Sequence, residues 1–317
     1  RAAQDADFVH VSALLDYRFE LLRGHESGSF TLTGDLPSFR AGGMRMSQGK
    51  VHLDALDATI TGNTVLGGEA TLRWDLGSAN RLTVGGEVKR TFEASYYAPR
   101  RPPRDFLMDQ PSTGVSVYAQ DEYHVSRRLT LLAGLRFDGY SHSQDAVSPR
   151  LAAIIRPGRG ATFKLLYGSA FRAPNIYEAR VSEFPYRLNP DLGPERVHTL
   201  ELVWQQPLHR GVLWTASLFR YQMRGLIDLV VVDTTAGEYQ YRNVGDATSS
   251  GLEAGVEARL TGLVTGFANY TYQRTLDDAT GLRLTNSPAH LLKGGISASA
   301  GPGARAALTA RYESSRL

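Results

Sequence analysis

Apolar and polar residues alternate with a period of two along much of this chain. In residues 129–138 every second residue is apolar, namely Leu129, Leu131, Ala133, Leu135 and Phe137. Successive side chains of a β-strand point to opposite faces, so this segment is predicted to be a strand with one apolar and one polar face. Residues 81–91 show the same alternation, and no segment shows a helical period over four turns.

The pattern predicts an all-β chain of roughly thirteen strands. We place them at 8–22, 65–76, 81–91, 114–125, 129–138, 151–156, 162–170, a segment ending at 204, 212–224, 239–260, 263–275, 290–300 and 304–316. From residue 64 onward, short and long connections alternate between them. Antiparallel membrane barrels have tight turns at one rim and long loops at the other. The sequence therefore predicts a transmembrane antiparallel β-barrel.

The orientation of this barrel follows from its connections, because the long loops of bacterial barrels face the outside of the cell. The segments expected to be extracellular are 23–63, 94–112, 139–147, 171–197, 225–238 and 276–289. A small hairpin is expected around Val51–Ile60. A soluble β-sandwich would mix its loop lengths, and a propeller would show a blade-length repeat. Neither feature is present in the sequence.

Composition narrows the possibilities without deciding between a soluble protein and a barrel. Hydrophobic residues make up 42% of the chain and the mean hydropathy is −0.26. No apolar run reaches the ~18 residues that a membrane helix needs, whereas barrel strands average out in any hydropathy window. The net charge of +3 is spread along the chain, which argues against a nucleic-acid partner. With no cysteine and no metal-ligand spacing among the histidines, neither a cofactor nor a metal is expected.

Several short motifs occur in a particular order. They are Ser148-Pro-Arg-Leu151, Phe171-Arg-Ala-Pro-Asn175, Asn189-Pro-Asp-Leu-Gly-Pro-Glu195, Tyr241-Arg-Asn-Val-Gly245 and Ser250-Gly-Leu-Glu253. Together with Tyr118–Glu122 and the strand at 129–138, this order resembles the barrel of the TonB-dependent outer-membrane receptors. The resemblance is strong from about residue 64 to the end and weak before it. Within that family, the sequence resembles the cobalamin and siderophore transporters.

The resemblance implies that residues 1–317 form part of a larger barrel. Family barrels have ~22 strands around a plug. The N-terminal plug, an export signal, several early strands and the closing strands are therefore expected outside this sequence. An odd number of strands also implies that the first and last strands both run outward. Two unpaired sheet edges are unstable in lipid, so the piece should not fold stably alone.

The resemblance also implies a function in the outer membrane of a Gram-negative cell. The complete protein would import a scarce chelate, a ferric siderophore or cobalamin, with a glycan as a further possibility. Its partners would be its own plug, the TonB–ExbB–ExbD complex, and the surrounding lipid and lipopolysaccharide. Two alternatives from other classes stay open: a passive porin or adhesin barrel, and a secreted β-rich enzyme. The enzyme would need an acid–base cluster, and we find no catalytic constellation, so no enzymatic activity is expected.

Candidate ligand-binding residues are flat aromatic and cationic side chains in the long loops, which suit an anionic or aromatic ligand. They are Tyr96, Tyr97, Arg100, Arg101, Arg104, Tyr177, Tyr186, Arg187, Tyr239 and Tyr241. A second set is expected to fix the ends of the loop at 171–197, with Arg172 paired to Glu195 or Glu201. That set is Phe171, Arg172, Pro174, Asn189, Pro190, Pro194, Glu195 and Glu201.

Charged residues within the strands are expected to face the lumen, because charges are costly in contact with lipid. They are Arg81, Glu87, Lys89, Arg136, Asp138, Glu253, Glu257 and Arg259. The adjacent acids Asp277 and Asp278 offer oxygen ligands of the kind that calcium takes. A solvated loop accounts for the same two residues, and we favour it.

Overall fold

A computed structural model gives the structure of the chain. It describes the side chains of residues 67–91 and 111–316 except 183, 209, 210, 300 and 302, and elsewhere only the backbone of strands. The connecting segments outside these ranges are not described.

The fold consists of β-strands with one short helix. The strands are β1 (Ala6–Asp7), β2 (His10–Leu21), β3 (Glu26–Pro37), β4 (Arg40–Ala41), β5 (Met44–Arg45), β6 (Lys50–Val51), β7 (Ile60–Thr61), β8 (Asn63–Leu76), β9 (Asn80–Tyr97), β10 (Phe106–Asp109), β11 (Ser112–Ser126), β12 (Leu129–Tyr140), β13 (Ser143–Gly158), β14 (Ala161–Arg172), β15 (Glu195–His209), β16 (Val212–Asp233), β17 (Glu238–Arg259), β18 (Val264–Asp277), β19 (His290–Ser299) and β20 (Arg305–Glu313). Helix α1 (Ile176–Arg180) lies between β14 and β15.

One 15-stranded antiparallel sheet dominates the fold. Its order is β2-β3-β8-β9-β11-β12-β13-β14-β15-β16-β17-β18-β19-β20, with β10 paired to β9 as a side branch. The strands of this path follow one another in chain order, with β4 to β7 inserted between β3 and β8 and β10 inserted between β9 and β11. In the described part of the chain no ladder joins β2 to β20, so the sheet has two free edges. The expected hairpin near Val51–Ile60 is present as the pair β6 and β7.

None of the helical residues that the structure describes forms a segment both long and apolar enough to cross a membrane.

The register of the sheet separates an apolar face from a polar face. Ser116 is opposite both Asp138 and Glu87, and Val117 on the next position is opposite Phe137. Followed from ladder to ladder, this alternation places all the predicted lumen-facing charges on one face. Large apolar side chains on the other face are strongly exposed, among them Val117 (53%), Leu135 (55%), Leu165 (50%), Leu202 (45%) and Leu218 (57%). A sheet that exposes an apolar band on one face and charges on the other is typical of a barrel wall in lipid.

Two expectations about the N-terminal part were wrong. Strand β3 lies within the segment 23–63, which we expected to be one long outer loop, and it pairs with both β2 and β8. Because β3 adds a strand, β2 and β20 run in opposite directions and not both outward. Strand β3 was not predicted because it is rich in glycine, serine and threonine, which weaken its apolar alternation.

Two other expected loops proved to be mostly strand. The segment 139–147 contains only the turn at 141–142 between β12 and β13, and 225–238 contains only the turn at 234–237. Strands β16 and β17 are each 22 residues long. A strand of ~9–11 residues spans a membrane, so their outer halves extend beyond it as a hairpin. The segments at 173–194 and 278–289 are true long loops.

The outward face can be tested with neighbouring leucines on β14. Leu165 is on the apolar face opposite Leu202, whereas Leu166 is on the polar face opposite Glu201. We expect Leu165→Arg to destabilise the assembled barrel by about 2 kcal/mol, because arginine on the lipid face loses hydration. Leu166→Arg adds the same side chain beside a carboxylate and should be nearly neutral. The measurement is the free energy of unfolding of the full-length protein in vesicles, and equal losses for the two variants would contradict the assigned faces.

Candidate functional site

The loop at 173–194 begins with a short helix that the sequence caps. Asn175 Oδ1 accepts from the Glu178 N–H at 2.8 Å, and Glu178 Oε2 accepts from the Asn175 N–H at 2.9 Å. This reciprocal pair is a capping box, and it fixes the first turn of α1. Pro174, just before it, is fully buried. The chain therefore leaves β14 in a defined direction.

Arg172 joins the two ends of this loop. Its Nε and Nη2 donate to the two carboxylate oxygens of Glu195 at 2.7 and 2.8 Å, and its Nη1 donates to Glu178 Oε2 at 2.9 Å. Of its two expected partners, Arg172 contacts Glu195. Glu201 lies further along β15, opposite Leu166. We call Arg172, Glu178 and Glu195 the loop latch.

The latch also reaches the neighbouring hairpin. The Ile227 N–H donates to Glu195 Oε1 at 2.8 Å. The contact from Arg172 lowers the pKa of Glu195, and the bond from Ile227 lowers it further. Glu195 is therefore ionised at neutral pH and holds strand β14, the loop and strand β16 together.

The far end of the loop packs against the outer half of β17 through two asparagines. Asn243 accepts from the Gly193 N–H at 2.8 Å and donates to the carbonyls of Gly193 and Gly225 at 2.9 and 2.7 Å. Asn189 donates to the carbonyl of Tyr241 at 2.8 Å. The prolines that flank this segment, Pro190 and Pro194, restrict its backbone. These contacts tie a long loop to the protruding hairpin as one surface.

Four tyrosines meet where the loop crosses β17. Tyr177 lies edge-on to Tyr186 and Tyr241, with ring centroids 5.9 and 6.3 Å apart. Tyr186 is parallel to Tyr241 at 6.4 Å and tilted against Tyr239 at 6.5 Å. The Arg187 N–H donates to the Tyr239 carbonyl at 2.8 Å, and its guanidinium lies 3.5 Å from Glu238. We call Tyr177, Tyr186, Arg187, Tyr239 and Tyr241 the rim cluster.

The rim cluster offers aromatic faces, phenol groups and one cation on the outer side of the sheet. Burial raises the pKa of Tyr241, so its phenol is neutral at physiological pH and can donate or accept a hydrogen bond. Aromatic rings with polar tips and an exposed guanidinium are common in binding surfaces. The arrangement can therefore bind a flat, anionic or aromatic molecule.

The polar face carries a second, connected group of side chains. Arg136 donates to Asp138 Oδ1 at 2.8 Å and to Glu87 Oε2 at 2.9 Å, and Ser116 donates to Asp138 Oδ1 at 2.6 Å. Asp138 is only 1% exposed. Arg136 and Asp138 border a concavity of about 500 Å³ on the polar face. They can hold a polar segment or water within a barrel lumen.

The two adjacent acids have partners of their own. Asp277 Oδ1 accepts from the backbone and hydroxyl of Thr280 at 2.7 and 2.8 Å. Asp278 contacts Arg224 and accepts from Thr248 at 3.1 Å. In the described ranges, no group of three or more histidine, cysteine or acidic residues is positioned to hold a metal.

The structure brings half of the candidate ligand-binding residues together in the rim cluster. Tyr96 and Tyr97 lie in β9, but their side chains are outside the described residues, as are Arg100, Arg101 and Arg104. Sequence reasoning missed Asn175, Glu178 and Asn243. The Asn-x-x-Glu spacing of the capping box was a usable signal for the first two. Asn243 has no local signal, because its partners are distant in the chain.

Comparisons with known proteins agree with this geometry. A family model described as TonB dependent receptor-like, beta-barrel matches residues 4–316. The vitamin B12 transporter BtuB of Vibrio cholerae is 30% identical over 168 residues, which cover 51% of this chain and 25% of that protein.

Solved structures show the same fold. The siderophore receptor PirA of Acinetobacter baumannii superposes with a TM-score of 0.62 at 22% identity, over 87% of this chain and 45% of that one. A mutant of the ferric enterobactin receptor PfeA of Pseudomonas aeruginosa, solved with enterobactin, gives 0.68 at 17% identity, over 92% and 47%. This chain thus spans about half the length of these structures.

Proposed function

The chain belongs to the TonB-dependent receptor-like β-barrel family of the outer membrane, and from that premise we propose that the complete protein imports a scarce metal chelate. The family consists of receptors and transporters and not of enzymes. The observation that carries the proposal is the rim cluster, which is built from a latched loop and a protruding hairpin on the long-loop side. Ligand-contacting residues on rigidly supported loops are the usual way in which a common scaffold acquires a specific ligand.

The rim cluster favours a ferric siderophore as the ligand. Iron chelates of the catecholate type are flat, aromatic and anionic, and they complement tyrosine faces and the Arg187 guanidinium. Solved neighbours of the same fold include receptors named for siderophores. A cobalamin is the second candidate, because a curated relative is named as a vitamin B12 transporter. Both are large chelates that need active import.

The energy for import would come from the TonB–ExbB–ExbD complex, acting on a plug within the barrel. The charged polar face supports this part of the proposal, because a plug needs polar contacts with the wall. The network of Arg136, Asp138 and Glu87 would be part of that wall. A passive porin or adhesin has no use for an energy source, so energy dependence separates these functions.

The test is uptake by the full-length receptor in a host that lacks its own siderophore and cobalamin receptors. We expect uptake of radiolabelled iron–enterobactin that a protonophore or loss of TonB abolishes. Tyr186→Ala with Tyr241→Ala should raise the half-saturating concentration at least about tenfold, because buried aromatic contacts dominate binding surfaces. The matched control, phenylalanine at both positions, keeps the rings and should stay within about threefold.

Each alternative has its own outcome. Uptake of labelled cyanocobalamin but not of iron–enterobactin would replace the siderophore with a cobalamin. Uptake of a small solute that persists with the protonophore would indicate a passive pore. Equal half-saturation for the alanine and wild-type receptors would remove the rim cluster from the binding site.

A further inference from the structure

On strands β16 and β18 the apolar face of the sheet is interrupted by arginines near its outer end. Leu218 and Leu252 are opposite each other in the apolar band. Two positions further toward the long loops, on the same face, Arg220 is opposite Ser250, and Ser250 is opposite Arg274. Both arginines are exposed. Two guanidinium groups therefore flank a serine hydroxyl on the surface that faces lipid.

No side chain that the structure describes neutralises these two arginines. Across the described residues, neither the Arg220 nor the Arg274 side chain has an ion pair or a hydrogen bond. Their neighbour Arg224 is different, since it contacts both Asp246 and Asp278. Asp246 and Asp278 are thus engaged by a third arginine, and a positive charge is left at Arg220 and Arg274.

Their depth in the membrane follows from strand geometry. From Val212, where β16 begins at a short turn, the strand extends about 26 Å to Arg220. With the usual strand tilt of ~40°, this is a height of about 20 Å, and the same argument gives about 25 Å for Arg274 on β18. The apolar band of an outer-membrane barrel is ~25 Å tall. Arg274 therefore lies at its outer boundary and Arg220 about 5 Å below it. A long arginine side chain can extend from that depth to the head groups of the outer leaflet.

The spacing of the two side chains suits a phosphate group. Strands two apart are separated by about 10 Å, and arginine side chains are long enough to converge over the serine between them. Guanidinium groups bind phosphate through paired, charge-assisted hydrogen bonds. His198, Gln222 and Thr248 add polar groups on the same face one step further out. Asp278, which accepts from Thr248, is itself paired with Arg224.

We propose that Arg220, Ser250 and Arg274 form a binding site for a lipid A phosphate of lipopolysaccharide in the outer leaflet. The acyl chains would lie along Leu202, Leu218 and Leu252, which continue the same face toward the membrane centre. The site depends on the orientation of the barrel in the outer membrane and not on which chelate the receptor transports. It would anchor the side of the barrel that carries the latched loop.

The experiment uses the full-length receptor, purified in detergent and freed of lipid. Diphosphorylated lipid A should bind and raise the melting temperature, whereas dephosphorylated lipid A should do neither. Arg220→Gln with Arg274→Gln should weaken binding at least about tenfold, because two charge-assisted contacts are lost. Arg127→Gln with Arg128→Gln removes the same charge from the short turn between β11 and β12 and should change binding less than about twofold.

Three results would overturn the proposal: wild-type affinity in the Arg220 and Arg274 variant, equal binding of dephosphorylated lipid A, or an equal loss in the turn variant. Competition by inorganic phosphate alone, with no contribution from the acyl chains, would also exclude a lipid site. The melting-temperature comparison of the two lipids on wild-type receptor needs no variant. It therefore tests whether binding requires the lipid A phosphates even if the glutamine variant fails to assemble.

Discussion

Arg172→Met should release the loop at 173–194 from the rim of the barrel. Glu178 and Glu195, whose side chains are only 15% and 18% exposed, would be left as two adjacent carboxylates without their shared cation. Removing one partner of a buried ion pair costs about 3–5 kcal/mol. Arg172 is itself 45% exposed, so we expect the lower end of this range, about 3 kcal/mol. This corresponds to an equilibrium constant for loop opening that is more than about 100-fold larger.

The measurement is hydrogen exchange of the full-length receptor at neutral pH. The amides to follow are those of Glu178 and Ile227, which donate within the capping box and to Glu195. Arg180→Met is the matched control, because Arg180 lies in the same loop and its guanidinium makes, within the described ranges, only a 3.3 Å contact with the Ser141 carbonyl. Adding Glu195→Gln to Arg172→Met should restore part of the protection. Unchanged exchange in Arg172→Met would show that the asparagine contacts alone hold the loop.

The barrel wall was predictable from the sequence because its signal is local. Each strand repeats the same period-two rule, and the face of Arg81, Glu87 or Glu253 follows from its apolar neighbours. The prediction failed where this signal was weak. In β3, small polar residues replace the apolar ones. In Leu226–Val232 an apolar run interrupted by Asp228 gave no alternation to separate strand from loop.

The rim cluster was only partly predictable, for a different physical reason. Tyr177, Tyr186, Tyr239 and Tyr241 could be named as candidates from residue type and loop position. Their meeting depends on Asn189 and Asn243, which hold the loop against β17 through backbone groups far away in sequence. Such long-range contacts leave no pattern along the chain, so one sequence alone does not reveal them.

The polar-face network supplies the second large expected effect. Arg136→Met should destabilise the folded barrel by about 3–5 kcal/mol, because it leaves the Asp138 carboxylate buried without a cation. The Asp138 side chain is 2% exposed, and of its hydrogen-bond donors among the described side chains only the Ser116 hydroxyl would remain. Glu87 is 38% exposed and can be solvated instead. The loss should therefore come almost entirely from Asp138.

A double-mutant cycle separates this cause from simple loss of packing. Asp138→Asn removes the buried charge, so Arg136→Met with Asp138→Asn should recover at least half of the free energy of unfolding that Arg136→Met loses. Glu87→Gln, which removes the exposed partner of the same arginine, should cost less than about 1 kcal/mol. Denaturant unfolding of the full-length receptor in detergent measures all four variants. The double variant could instead be as unstable as Arg136→Met. Loss of packing by the aliphatic part of the Arg136 side chain, and not the buried Asp138 carboxylate, would then account for the effect.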